Sequence, residues 1–136
     1  MAMERVVLDT DILSAIMRQN ATVLPRARAY LDEHRQFTLS IITRFEILRG
    51  LKARNATRQL QRFDEFCARN LILPLSDEIV VKAADIYGEL HRRGSLIGDA
   101  DILIAASAVV NNCGVVTNNE DHFGRIDGLQ IENWLK

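Results

Sequence analysis

Short apolar, β-branched runs alternate along this chain with longer segments of helical periodicity, and that alternation leaves few folds open. Arg5–Leu8, Phe37–Ser40, Leu71–Leu75 and Val115–Thr117 read as strands, with Leu129–Glu132 as a weak edge strand. Asp9-Thr10-Asp11 offers N-cap side chains to a helix beginning near Ile12. Further helices are expected over Val23–His34, Thr43–Lys52, Ala56–Arg69, Ser76 to Arg93 and Asp101–Asn112, the last apolar on most sides. Strands alternating with helices predict an α/β domain: a parallel central sheet of four to five short strands, flanked by helices on both faces. With 136 residues, the whole span 1–136 is expected to be one domain.

Acidic residues fall where such a fold would gather them. Asp9 and Asp11 follow the first apolar run, Glu46 lies inside Ile42–Leu51, Asp99 and Asp101 head Ile102–Val110, and Asp121 follows Val115-Val116-Thr117. Parallel strands end together on one sheet edge, so carboxylates just past those ends converge there although far apart in sequence. Converging carboxylates repel one another unless a hard cation sits among them, and Mg²⁺ or Mn²⁺ takes oxygen ligands. Such a centre is suited to cutting phosphodiesters. Each acid also has an ordinary reading: Asp9 as a helix cap, Glu46 as the partner of Arg49, and one of Asp99 and Asp101 as the cap of a buried helix end. His122 reads most simply as an exposed loop residue.

A net charge of −1 argues against a protein that coats nucleic acid by bulk electrostatics. The charge is uneven, however. Arg44, Arg49, Lys52, Arg54, Arg58 and Arg62 stand against the single acid Glu46, and Arg54, Arg58 and Arg62 recur every four residues, a stripe if they share a helix. That run is a solvated face or a contact surface for phosphates or an acidic partner. The longest apolar stretch, Ile102–Val110, is roughly half of what a bilayer span needs, so no membrane association is expected. Cys67 and Cys113 lack any CxxC or Cys/His spacing and read as buried, reduced thiols, which points to a cytoplasmic chain. No secretory signal is read in Met1–Arg5, and Met1-Ala2 reads as an extension before Met3.

Taken together, Val7-Leu8-Asp9-Thr10-Asp11-Ile12-Leu13-Ser14, Thr43-Arg44-Phe45-Glu46-Ile47-Leu48-Arg49-Gly50, Asp101-Ile102-Leu103-Ile104-Ala105-Ala106 and Val116-Thr117-Asn118-Asn119, with Phe123 and Gly128 to Trp134 after them, resemble the ordered motifs of PIN-domain ribonucleases. The resemblance is to the VapC-type toxins of toxin–antitoxin pairs and runs the length of the chain. It implies a Mg²⁺- or Mn²⁺-dependent endoribonuclease that cleaves a structured RNA such as tRNA or rRNA and so inhibits translation. It further implies a homodimer, neutralised by a small antitoxin. Asp9, Glu46 and Asp101 match the family's main acids, and the fourth polar position falls at Asn119, an amide where many relatives carry Asp. On this resemblance Asp9, Asp101 and Glu46 hold the metal, with Asp99 a further carboxylate nearby. Thr117 and Thr10 orient the ligands, Asn119 completes the catalytic set, and Arg44, Arg49, Arg54 and Arg58 face RNA or the antitoxin.

A rival reading is a haloacid-dehalogenase-like phosphatase with Asp9 as nucleophile, Ser40 after a second strand, and Asp99 with Asp101 as the later acidic pair. Against it, Glu46 has no role there and no Lys lies just before Asp99.

Overall fold

The structure, a computed structural model, describes residues 4–136, so Met1-Ala2 lie outside it. Five short strands form one sheet: β1 (Val6–Leu8), β2 (Thr38–Ser40), β3 (Leu71–Leu73), β4 (Gly114–Val116) and β5 (Ile131–Glu132). All four pairings are parallel, in the order β3-β2-β1-β4-β5. The chain therefore moves outward from β1 to β3 and then starts again on the other side of β1 with β4. The junction of β1 and β4 is a topological switch point, and the crevice at the carboxyl ends of those two strands is where ligands bind in open α/β sheets.

The sheet is buried on both faces, and its central strand shows how. Val7 joins an apolar cluster formed by α5 (Asp77–Arg92) and α6 (Asp99–Val110), with Leu90, Ile104, Ala105 and Ala106. Val6 and Leu8 point the other way, into a cluster with α1 (Thr10–Met17), α2 (Val23–His34), α3 (Ile41–Ala53) and α4 (Thr57–Arg69). Tyr30, Phe63 and Trp134 are its largest fully buried side chains, with Tyr30 and Trp134 ring centroids 5.6 Å apart. A strand flanked by two such layers has no solvent face, which explains why the strand sequences are apolar rather than alternating.

The elements match the expected ones in order and type, with shifted ends. The α1 helix starts at Thr10, not Ile12, because Asp9 is itself the N-cap. Similarly, Ser40 caps α3 by accepting from the Ile42 amide at 3.0 Å, so α3 begins two residues before the expected Thr43. The α6 helix starts at Asp99 behind Gly98. Strand β3 stops at Leu73 because Pro74 has no amide to give the ladder. One element was not foreseen: a single helical turn, α7 (Glu120–Phe123). The arginine stripe is also divided. Arg54 ends α3, Asn55 turns the chain at φ 53°, and only Arg58 and Arg62 share α4.

Candidate active site

The site is built around Asp9, which sits at the switch point because β1 ends one residue earlier. Its backbone amide donates to the Val116 carbonyl at 2.9 Å, extending the β1–β4 ladder to the carboxylate itself. One side-chain oxygen accepts from the Thr10 amide at 2.8 Å, and the other accepts from the Thr117 hydroxyl at 2.8 Å. Thr117 is fully buried and Asp9 is 6% exposed. Burial pushes the Asp9 carboxyl from its ordinary 3.8 up to about 7; Asp11 and Asp101 add to the rise, and the Thr117 and Thr10 hydrogen bonds oppose it. The capping reading of Asp9 is thus correct, but one cap does not account for a carboxylate buried beside two others.

Asp11 and Asp101 enter from neighbouring turns. Asp11 Oδ2 accepts from the Asn118 amide at 3.0 Å, while Oδ1 is buried without a hydrogen-bond partner. Burial raises its pKa as well, with Asp101 adding to the rise. Asp101, in the first turn of α6, lies 3.0 Å through Oδ2 from His122 Nδ1. Helix phase separates it from Asp99: residues two apart on a helix point about 160° away from each other. Asp99 is accordingly exposed and takes no part in the network around Asp9 and Asp101. Asp121 is likewise removed from the site, since its carboxylate pairs with Arg125 at 2.8 Å in the open.

Glu46 is brought in by a hydroxyl. Thr10 Oγ1 lies 2.7 Å from Glu46 Oε1 and 3.1 Å from Thr43 Oγ1, which ties α3 to the residue after Asp9. The ordinary partner is present too, with Arg49 3.7 Å from the other Glu46 oxygen. Arg49 also lies over the exposed Phe45 ring, 5.3 Å from its centroid. Asn119 donates its backbone amide to Thr117 Oγ1 at 2.9 Å, and its side-chain nitrogen lies 2.8 Å from His122 Nδ1. The segment Thr117–Glu120 is itself held from below. Thr117 donates its amide to the Glu132 carbonyl, and the Asn133 side-chain nitrogen reaches Asn118 Oδ1 at 3.0 Å and Glu120 Oε2 at 3.1 Å.

Two members of this network lay outside the predicted site. Asp11 is among the acids expected to converge, but the motifs place only Asp9 of that Asp-x-Asp pair in the site. His122 is not a free loop residue. Its spacing of three from Asn119, one helical turn, is the only sequence hint, and the turn is too short to show periodicity.

Among the described residues, no three His, Cys, Asp or Glu side chains stand close enough to form a ready metal cage. The donor chemistry nevertheless fits a hard divalent cation. All the converging acidic donors are oxygens, burial and neighbouring acids destabilise the charges of Asp9 and Asp11, and one Asp11 oxygen is buried without a hydrogen-bond partner. Mg²⁺ keeps several waters and takes only one or two carboxylates directly, so a three-ligand cage is not its requirement.

Beside the site an open groove of about 850 Å³ runs between α1, α3 and α4, from Thr10 and Glu46 to Arg69. Ile47, Leu51 and Phe66 give it apolar walls, and Arg18, Arg54, Arg62 and Arg69 outweigh Glu46 and Glu65 along it, so its charge is positive on balance. Gly50 also lines it; a Cβ there would meet nothing within 4 Å, so internal packing does not require this mid-helix glycine. Of the arginines expected to face a partner, Arg54 lines the groove, whereas Arg44 pairs with Asp64 at 3.1 Å and lies over the Phe63 ring. Arg58 is exposed outside it.

The phosphatase reading finds no support here. The Ser40 hydroxyl is occupied in capping α3, Asp99 points away, and Glu46, idle in that reading, is bonded into the centre. Comparison with known proteins points the same way. The sequence profile of the PIN domain family matches residues 6–129. Ribonuclease VapC1 of Methanocaldococcus jannaschii is 31% identical over 129 residues, covering 93% of this chain and 86% of its own. The tRNA(fMet)-specific endonuclease VapC of Salmonella typhimurium is 34% identical over 97 residues, 71% of this chain and 74% of that relative. Among solved structures, VapBC2 of Rickettsia felis, bound to a DNA fragment from their promoter, superimposes with a TM-score of 0.84 at 27% identity, covering 95% of this chain and 98% of that one.

Proposed function

Because this chain belongs to the PIN domain family, and to the VapC ribonucleases within it, we propose that it is a divalent-metal-dependent endoribonuclease toxin held in check by a small antitoxin. The observation that carries the reading is the carboxylate of Asp9: buried at the switch point, bonded to Thr117, and repelled by Asp11 and Asp101. In this proposal Asp9 and Asp101 would hold Mg²⁺ or Mn²⁺, with Glu46 and Asp11 contributing directly or through water. When bound, that cation polarises the scissile phosphate and lowers the pKa of a water molecule. The protein's own residues supply position and proton transfer. Thr117 and Thr10 fix both oxygens of Asp9 through their hydroxyl and amide, so the carboxylate does not rotate away when charged. Glu46, steadied by the Thr10 hydroxyl, is the acceptor for the proton of the attacking water. Asn119 sustains Thr117 through its backbone amide, and Asn119 in place of an acid leaves less negative charge for a second cation.

RNA is the proposed substrate, and a structured RNA such as tRNA fits the endonuclease relative of Salmonella typhimurium, whose name specifies tRNA(fMet). The VapBC complexes among the structural neighbours support an antitoxin partner. In this reading the basic, apolar-walled groove with Arg54 and Arg62 receives it, and the chain works in the cytoplasm as a homodimer. No helix among the described residues is long and apolar enough to cross a membrane.

The test is cleavage of total tRNA and rRNA by purified protein with Mg²⁺, with Mn²⁺ and with EDTA. Asp9→Ala and Asp101→Ala should each abolish metal-dependent cleavage while remaining folded. Unchanged cleavage by either variant would remove that residue from the site.

A further inference from the structure

His122 stands where neither the motifs nor the relatives' names give it a part. Its Nδ1 lies 3.0 Å from Asp101 Oδ2 and 2.8 Å from Asn119 Nδ2. A single ring nitrogen satisfies the carboxylate only by carrying a proton and the amide nitrogen only by lacking one, so it does not serve both at once. Bare, Nδ1 would set its lone pair against a carboxylate oxygen. Carrying hydrogen, it donates to Asp101, and the Asn119 amide turns its oxygen toward the ring.

The short helix carrying His122 is anchored well beyond what a surface turn needs. Phe123, the next residue, is fully buried in the cluster around α5 and α6. Gly124 follows where a Cβ would lie 2.7 Å from the Glu120 carbonyl oxygen, so a larger residue would push the turn open. Arg125 then reaches back to the Ser95 and Leu96 carbonyls at 3.3 and 3.1 Å, in the segment that leads into α6 and Asp101. The turn carrying His122 is thus tied to the segment leading into Asp101 by the Arg125 side chain as well as by the His122–Asp101 contact.

We propose that His122 is a positioning residue whose Nδ1–H holds Asp101 by Oδ2 and orients its carboxylate for the divalent cation. This rests on the reading of Asp9 and Asp101 as cation ligands. Groups that hold a ligand in place from outside the coordination sphere typically govern metal affinity by about 10- to 100-fold. The role belongs to Nδ1 rather than Nε2, and that distinction is testable. An asparagine at 122 places an amide near Nδ1, whereas a glutamine places one near Nε2.

The experiment is Mn²⁺ titration of the RNA-free protein by electron paramagnetic resonance, on wild type, His122→Ala, His122→Asn and His122→Gln, each checked for folding by circular dichroism. The Ala and Gln variants should bind Mn²⁺ about tenfold or more weakly, with Asn restoring most of the loss. In RNA cleavage measured over a range of substrate at fixed, subsaturating Mn²⁺, the same order should appear in kcat with KM nearly unchanged. Equal Mn²⁺ affinity in all four proteins, tighter binding by the Ala variant, or rescue by Gln as good as by Asn would each overturn the inference. Should the Ala variant fail to fold, the Asn and Gln pair carries the same comparison. A wild-type protein that binds no Mn²⁺ would instead overturn the cation reading, and the inference with it.

Discussion

Replacing Asp9 with Asn should stabilise the metal-free protein at alkaline pH, and the amount follows from the site. Burial and the neighbouring acids raise the Asp9 carboxyl from 3.8 to about 7. A carboxyl whose folded value lies above its unfolded value favours the fold only while protonated. That contribution is complete below 3.8 and is lost as pH rises through about 7. The gap corresponds to on the order of 4 kcal/mol of strain carried by the ionised form. Asparagine never ionises, and so it escapes that strain. It keeps an acceptor for the Thr10 amide, but its amide nitrogen faces the Thr117 hydroxyl, at a cost of about 1 kcal/mol for the mismatched hydrogen bond. The net expectation at pH 8 in EDTA is roughly 2–3 kcal/mol in favour of Asp9→Asn, a melting temperature higher by roughly 6–10 °C. Near pH 4 the order should reverse, with wild type ahead by about the hydrogen-bond cost. Urea or thermal melts across pH 4–8 measure this. An Asn variant less stable than wild type at pH 8, or with the same pH slope, would refute the argument. Adding Mg²⁺ should raise the wild-type curve by linkage and leave the variant's nearly unmoved.

Glu46→Gln keeps an acceptor for the Thr10 hydroxyl, so melting should stay within about 1 kcal/mol of wild type while RNA cleavage falls by about 10²-fold or more. An active Gln variant would exclude Glu46 as proton acceptor. Arg54→Ala with Arg62→Ala should leave cleavage intact and weaken antitoxin binding in a pull-down or calorimetric titration. If RNA affinity drops instead, with a salt slope flatter by about two, the groove belongs to the substrate. Phe63→Ala removes a fully buried ring from under α4 and should lower stability by about 3–5 kcal/mol in urea denaturation.

The course of the chain was legible because its cues are local. An apolar run ending in Asp9 marks both a strand and a cap, and the spacing of Ile79, Ala83, Ile86 and Leu90 marks a helix whatever surrounds it. Selection among the acids was not local. Asp99 and Asp101 share one helical turn and one chemistry, and only the rotation of α6 against the sheet decides which of them meets Asp9. The same holds for the arginines. Arg44 and Arg54 look alike in sequence, yet Asp64, twenty residues on, claims the first, and the end of α3 leaves the second open to the groove. His122 was misjudged because the turn that carries it owes its place to Phe123 and Gly124, not to any repeat of its own.

The dependence of Thr117–Glu120 on Glu132 and Asn133 bears on how the protein is made. A ribosome delivers Asp9 long before Asn133, and until β5 has paired with β4 the segment that supports Asp9, Asp11 and Asp101 lacks its underpinning. An emerging chain would therefore hold its early carboxylates without the late strand that arranges them. In the nuclease reading proposed above, the site becomes competent only when that strand docks.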